Sequence, residues 1–214
     1  MSLPRTLFIT AALATVTAPA FAAVNLTYSL NGAPIDVSWP TSSFPIRYVV
    51  ERNVATQVTP AVIDRAFNEW ASIPDTSLAF QSAGIVDGAR PGLDGKNSIT
   101  FVDDLFANQN FIALTTNWYD DNGRVKESDI QLDPAATSGK YNVQLLIEHE
   151  IGHLLGLDHS AVLSSIMYPY VGSGGVTALD SDDKIAITTL YAKTLGGATL
   201  QGRVIGDGVA IFAA

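Results

Sequence analysis

His149-Glu150-Ile151-Gly152-His153-Leu154-Leu155-Gly156-Leu157-Asp158-His159 is the stretch on which the reading of this chain turns. It holds all three histidines of the sequence. On an α-helix, residues four apart share a face, so His149 and His153 can present ring nitrogens to one ion. Glu150 follows His149 directly, and its carboxylate can lean over the same broad face. Gly156 stands where such a helix should stop. Without a Cβ it can take the left-handed conformation that reverses the chain. That reversal would bring His159 to the ion from outside the helix. A bare His-Glu-x-x-His recurs by chance, and three solvent-facing or core histidines are the bland alternative. A glycine at the turn and a third histidine three residues on favour the metal site.

The donor set narrows the metal and its chemistry. With no cysteine in the chain, ligands must be imidazoles or carboxylates. Three protein ligands leave the fourth position of a tetrahedral zinc ion open to water, as in catalytic rather than structural sites. Water there has a pKa near ~7, so Glu150 can take its proton while the oxygen attacks a polarised carbonyl. Protonated Glu150 can then supply the leaving amine. Peptide hydrolysis is the reaction these residues suit.

Outward from the motif, a helix is expected from about Asn142 to Leu155. Before it, Ile46–Val50 reads as a first strand from its β-branched and aromatic content. Thr59 and Pro60 then signal a helix N-terminus, and Val62, Ile63, Ala66, Phe67 and Trp70 repeat at helical spacing until Pro74. Further strands are expected at 78–81, 98–102, 111–119 and 127–132, with a Gly/Asp-rich turn region from Gly84 to Gly95. Asp120-Asp121-Asn122-Gly123 makes a turn that could take calcium, although an ordinary hairpin fits its spacing better. A last helix should start near Asp180–Asp183, whose carboxylates suit the positive helix end, and continue through Leu190. The class implied is α+β, with α/β-like alternation.

The ends read differently. Arg5, the apolar run Leu7–Val16 and the small residues of Ala20-Phe21-Ala22 mark residues 1–22 as a signal peptide. The run is too short to span a bilayer, and no other stretch approaches ~20 apolar residues, so no stable membrane insertion is expected. Residues 23–42 form a lead-in in which prolines interrupt regular structure. Residues 43–194 are the expected domain, and 195–214 a linker and strand-like tail. That tail either packs on the domain or opens a β-sandwich module that the chain does not complete.

Composition agrees with an exported globular domain. Hydrophobic residues are 47% and charged residues 15% of 214, enough for a packed core. A net charge of −9 repels phosphate backbones, so nucleic acid is not an expected partner. A monomer acting on protein or peptide substrates is the expectation.

The chain resembles the matrixin branch of the metzincin zinc proteases over residues 43–194. Beyond the extended histidine motif, the resemblance rests on Ser160, on Ser165-Ile166-Met167-Tyr168-Pro169 as a Met-turn, and on the run from Leu179 to Tyr191. It implies a twisted, mostly parallel sheet with one antiparallel edge strand, three main helices and a Met-turn. Met167 would lie beneath the zinc ligands as an apolar floor. Residues 111–116 look like the edge strand, so Ala113 and Leu114 would pair with an extended substrate. Pro169 and Tyr170 would wall the pocket for the side chain after the cut bond. One catalytic zinc is expected, because no histidines precede the active-site helix to hold the family's second. Calcium is usual in such domains, but its ligands cannot be matched here. Latency through a propeptide cysteine is not expected in a sequence without cysteine.

Two other functions compete. A binding or adhesion protein could keep the fold as a scaffold, although such a protein has no need of Glu150. Hydrolysis of a non-peptide amide ranks last.

Overall fold

The computed structural model describes residues 24–30, 33–103, 111–170 and 176–193, and the backbone of two short strands at 204–206 and 209–211. The signal-peptide reading and most of the tail lie outside these residues. β1 (Thr27–Leu30) and β2 (Ala33–Asp36) form an antiparallel hairpin within the stretch read as a lead-in. Pro34 is tolerated because a two-stranded ladder leaves each strand one free edge.

β3 (Ile46–Glu51) runs directly into a short helix, α1 (Arg52–Gln57), which the sequence reading did not anticipate. Glu51 ends the strand and caps the helix, its carboxylate accepting from the Asn53 amide at 2.6 Å. α2 (Pro60–Ala71) begins at the expected proline, although the Thr59 side chain makes no capping bond. Its Ile63, Ala66, Phe67 and Trp70 are buried, as their spacing requires.

The expected strand at 78–81 is displaced. β4 (Phe80–Val86) starts later and continues through Gly84, so the turn region is shorter than read. This strand lies at the edge of the sheet and is largely exposed, so it lacks the apolar alternation that marks a strand. β5 (Asn97–Phe101), β6 (Ala113–Tyr119) and β7 (Val125–Leu132) complete the sheet in the order β4-β3-β5-β7-β6. The first four strands are parallel, and β6 alone runs antiparallel, along β7. β6 is therefore the antiparallel edge strand, and Phe111 and Ile112 precede it.

β7 is buried on both faces. Ile130 and Leu132 point into the core. On the opposite face, Glu127 accepts from the amides of Asp94 and Gly95, and Asp129 from those of Gly92 and Ser98. Those two carboxylates fasten the loop between β4 and β5 across the sheet.

α3 (Val143–Leu154) lies on the core face with α2 and carries the histidine motif. Asn142 caps it, accepting from Gln144 and Leu145. Eight of its twelve residues are buried, including His149 and Glu150. Trp70 of α2 packs in the same core and donates from Nε1 to the Glu148 carbonyl at 2.9 Å. Burial of each such large side chain contributes roughly 1.5–3 kcal/mol. α4 (Ser181–Tyr191) follows with a capping box from Asp180 and Asp183. β8 (Val204–Gly206) and β9 (Val209–Ile211) pair antiparallel. Among the described residues no helix is long and apolar enough to cross a membrane.

Residues 24–39 are knit to the end of α3. The Leu26 amide donates to the Gly156 carbonyl, and the Asp158 amide to the Val24 carbonyl, each at 2.8 Å. Trp39 is buried and donates from Nε1 to the Leu154 carbonyl at 2.8 Å.

Candidate metal centre

The centre starts from how α3 ends. Leu155 is the C-cap, Gly156 takes φ 92°, and the amides of Gly156 and Leu157 bond back to the carbonyls of His153 and Gly152 at 2.9 Å. This is a Schellman closure, and it needs a residue free of Cβ strain at Gly156. Gly156 has a second reason to be glycine: a Cβ there would lie 2.0 Å from the Val37 carbonyl oxygen.

The reversal brings the three imidazoles together. One ring nitrogen from each of His149, His153 and His159 lies within 4.8 Å of the others, so the set could hold a metal ion. Two of the rings are oriented by main-chain carbonyls. His149 Nδ1 donates to Ile166 O at 2.7 Å, and His153 Nδ1 to Leu157 O at 2.8 Å. With Nδ1 carrying the proton, the Nε2 lone pair is left for a ligand bond. Burial pushes the His149 pKa down to about 3 and the His153 pKa down to about 4, so both rings are neutral at pH 7. Neutral imidazole is the form that binds zinc, so the donor set fits the ion.

Glu150 is buried beside this cluster. Burial pushes its carboxyl up to about 7, against the downward pull of a hydrogen bond from Thr115. Thr115 Oγ1 lies 2.7 Å from Glu150 Oε2 and 3.0 Å from the Glu150 carbonyl. Nothing in the sequence singled out Thr115, because a threonine in a strand is ordinary.

Met167 packs against α3. It is buried, and a Cβ on Gly152 would come within 2.1 Å of its Sδ, so the glycine lets the turn press against α3 between the two histidines. Asp183 holds this turn. It accepts from Ser165 Oγ, from the Ile166 amide at 2.9 Å and from the Asp180 amide at 2.8 Å. The sequence reading gave Asp183 only a helix-end role; its reach to the turn is a tertiary fact. Ile166, held in this way, is the residue whose carbonyl orients His149.

A cavity of about 240 Å³ opens beside His149, lined by Tyr141, Leu145, Ile166, Tyr168, Tyr170 and Val176 among others. Tyr170 lines it, whereas the exposed Pro169 does not. Ala113 and Leu114 lie at the start of the edge strand, and Leu114 is exposed. The 120–123 turn is closed by Asp120, which accepts from the Asn122 and Arg124 amides at 3.0 and 3.1 Å and pairs with Lys126 at 3.0 Å.

A mostly parallel sheet with one antiparallel edge, a helix bearing two histidines and a third histidine brought in by the turn after it define a metzincin fold. Comparison with known proteins makes this more specific. A family model described as matrixin matches residues 38–192, and the chain belongs to that family. It is 27% identical over 172 residues to metalloendoproteinase 2-MMP of Arabidopsis thaliana, covering 74% of this chain and 44% of that protein. It is 38% identical over 151 residues to the hatching enzyme of Paracentrotus lividus, covering 64% of this chain and 23% of that protein. A shorter match to karilysin of Tannerella forsythia is 56% identical over 43 residues, or 20% of this chain and 9% of that protein. The chain thus spans less than half the length of these relatives.

Proposed function

We propose that this chain is a secreted zinc endopeptidase, with His149, His153 and His159 as metal ligands and Glu150 as general base. The observation that carries the reading is the convergence of three imidazoles next to a buried carboxylate, Glu150, on the helix that bears two of them. Zinc in that position supplies a Lewis acid that lowers the pKa of water toward ~7 and polarises a carbonyl. Glu150 accepts the proton of the attacking water and returns it to the departing amine. Ile166 and Leu157 hold the ligand rings in orientation through their carbonyls. The edge strand β6 at Ala113 and Leu114 binds an extended peptide by strand addition, independent of its sequence. The cavity under Tyr170 receives the side chain that follows the cut bond. Export is supported by the basic, apolar and small-residue pattern of residues 1–22.

Purified zinc-loaded protein should cleave casein, lose that activity to a chelator, and lose it on Glu150→Ala while its zinc is retained. A Glu150→Ala variant with full activity would overturn the assignment of the base. Zinc-loaded wild-type protein that turns over no member of a diverse peptide library would overturn the peptidase reading itself.

A further inference from the structure

We infer that Thr115 is a positioning residue for Glu150, its hydroxyl fixing the carboxylate in the orientation that proton transfer requires. This rests on the peptidase reading above. Thr115 lies on the edge strand β6, 35 residues from Glu150 in sequence, and its Oγ1 is 2.7 Å from Glu150 Oε2. A glutamate side chain has three rotatable bonds, and ordering one costs up to ~2 kcal/mol. One short hydrogen bond from a rigid, β-branched donor opposes that freedom. The bond engages one carboxylate oxygen and leaves the other outside it. Thr115 is also 3.0 Å from the Glu150 main-chain carbonyl, so the hydroxyl is seated against the same helical residue at two points.

The contact is separable from the docking of the strand. Asn117, two residues along on the same face of β6, donates from Nδ2 to the His153 carbonyl at 2.9 Å. The whole of β6 also remains laddered to β7 from Ala113 to Tyr119. Removing the Thr115 hydroxyl therefore leaves the strand attached to both α3 and the sheet. What it removes is the restraint on the carboxylate.

The test compares Thr115→Val, which keeps the branched shape and removes the donor, with Thr115→Ser, which keeps the donor. A misplacement of the base of ~1 Å lowers turnover by up to 10²-fold, so kcat of T115V should fall roughly 10- to 100-fold. KM and zinc stoichiometry should stay as in the wild type, and T115S should restore most of kcat. Crystals of the zinc-free proteins give a readout apart from activity. Glu150 should hold one orientation in the wild type and T115S and more than one in T115V. Full kcat in T115V, a rise in KM that accounts for the loss, or an unchanged single Glu150 orientation would each overturn the inference. Should T115V not fold, Thr115→Ala takes its place with the same readouts. Zinc-bound wild-type protein without turnover would instead sink the peptidase reading and the inference with it.

Discussion

Gly156→Ala tests the close approach of the N-terminal segment to the turn that carries His159. Gly156 has φ 92°, where an L-residue is strained by roughly 1–2 kcal/mol. Its new Cβ would meet the Val37 carbonyl oxygen at 2.0 Å, against the 3.4 Å at which ordinary contact begins. Either the 37–38 backbone or the α3 turn must retreat by more than an ångström. Overpacking of this kind costs typically ~1–3 kcal/mol. The retreat also strains the 2.8 Å bond from the Leu26 amide to the Gly156 carbonyl, whose net worth is about 1 kcal/mol. A total of about 3–6 kcal/mol is expected, a large part of a typical stability of ~5–15 kcal/mol. Gly139→Ala is the control, because Gly139 has φ 83° and nothing within 4 Å of its would-be Cβ. It carries the backbone strain without the clash. Urea denaturation of the zinc-free proteins should place G156A about 2–4 kcal/mol below G139A. Zinc titration should show weaker binding in G156A, since the same turn delivers His159. If the two variants unfold within about 1 kcal/mol of each other, the close approach of Val37 to the turn is refuted.

Three further outcomes follow from named contacts. Chelation should lower stability by RT ln(1+[L]/Kd), about 4 kcal/mol at a thousand-fold excess over Kd or on the order of 10 °C in melting temperature; His153→Ala should melt at the same temperature with and without zinc by calorimetry. Asp183→Asn should destabilise by roughly 3 kcal/mol, because its new NH2 group faces either the Ile166 and Asp180 amides, which both donate to Oδ2, or the Met167 amide at Oδ1, and should weaken zinc binding in a titration by loosening the carbonyl that orients His149. Asp129 gives a pH signature: burial, with Glu127 beside it, raises its pKa above the ordinary aspartate value. A raised acid contributes stability below its unfolded pKa of ~3.9 and loses it as pH rises through its folded value, so the deficit of Asp129→Asn relative to wild type should be larger at pH 4 than at pH 7 in urea titrations.

The sequence determined those features that neighbouring residues decide. His149 and His153 share a face because four residues make about one helical turn, and Gly156 reverses the chain because only glycine takes that backbone conformation without strain. The helix at Pro60 and the capped helix at Asp180 were legible for the same reason. α1 was missed because it is six residues long and its cap, Glu51, reads as the end of a strand. β4 was misplaced because an exposed edge strand needs no apolar alternation.

Tertiary structure alone decided what the centre rests on. Thr115 meets Glu150 across 35 residues, Ile166 orients His149 across 17, and Val37 closes on Gly156 from a segment that looked like a lead-in. The acidic pair Glu127 and Asp129 is buried in the strand, because a loop from elsewhere lends it amides. A residue's own neighbours fix its backbone preference, whereas the partner of a hydroxyl or carboxylate depends on which distant element the sheet and core bring against it.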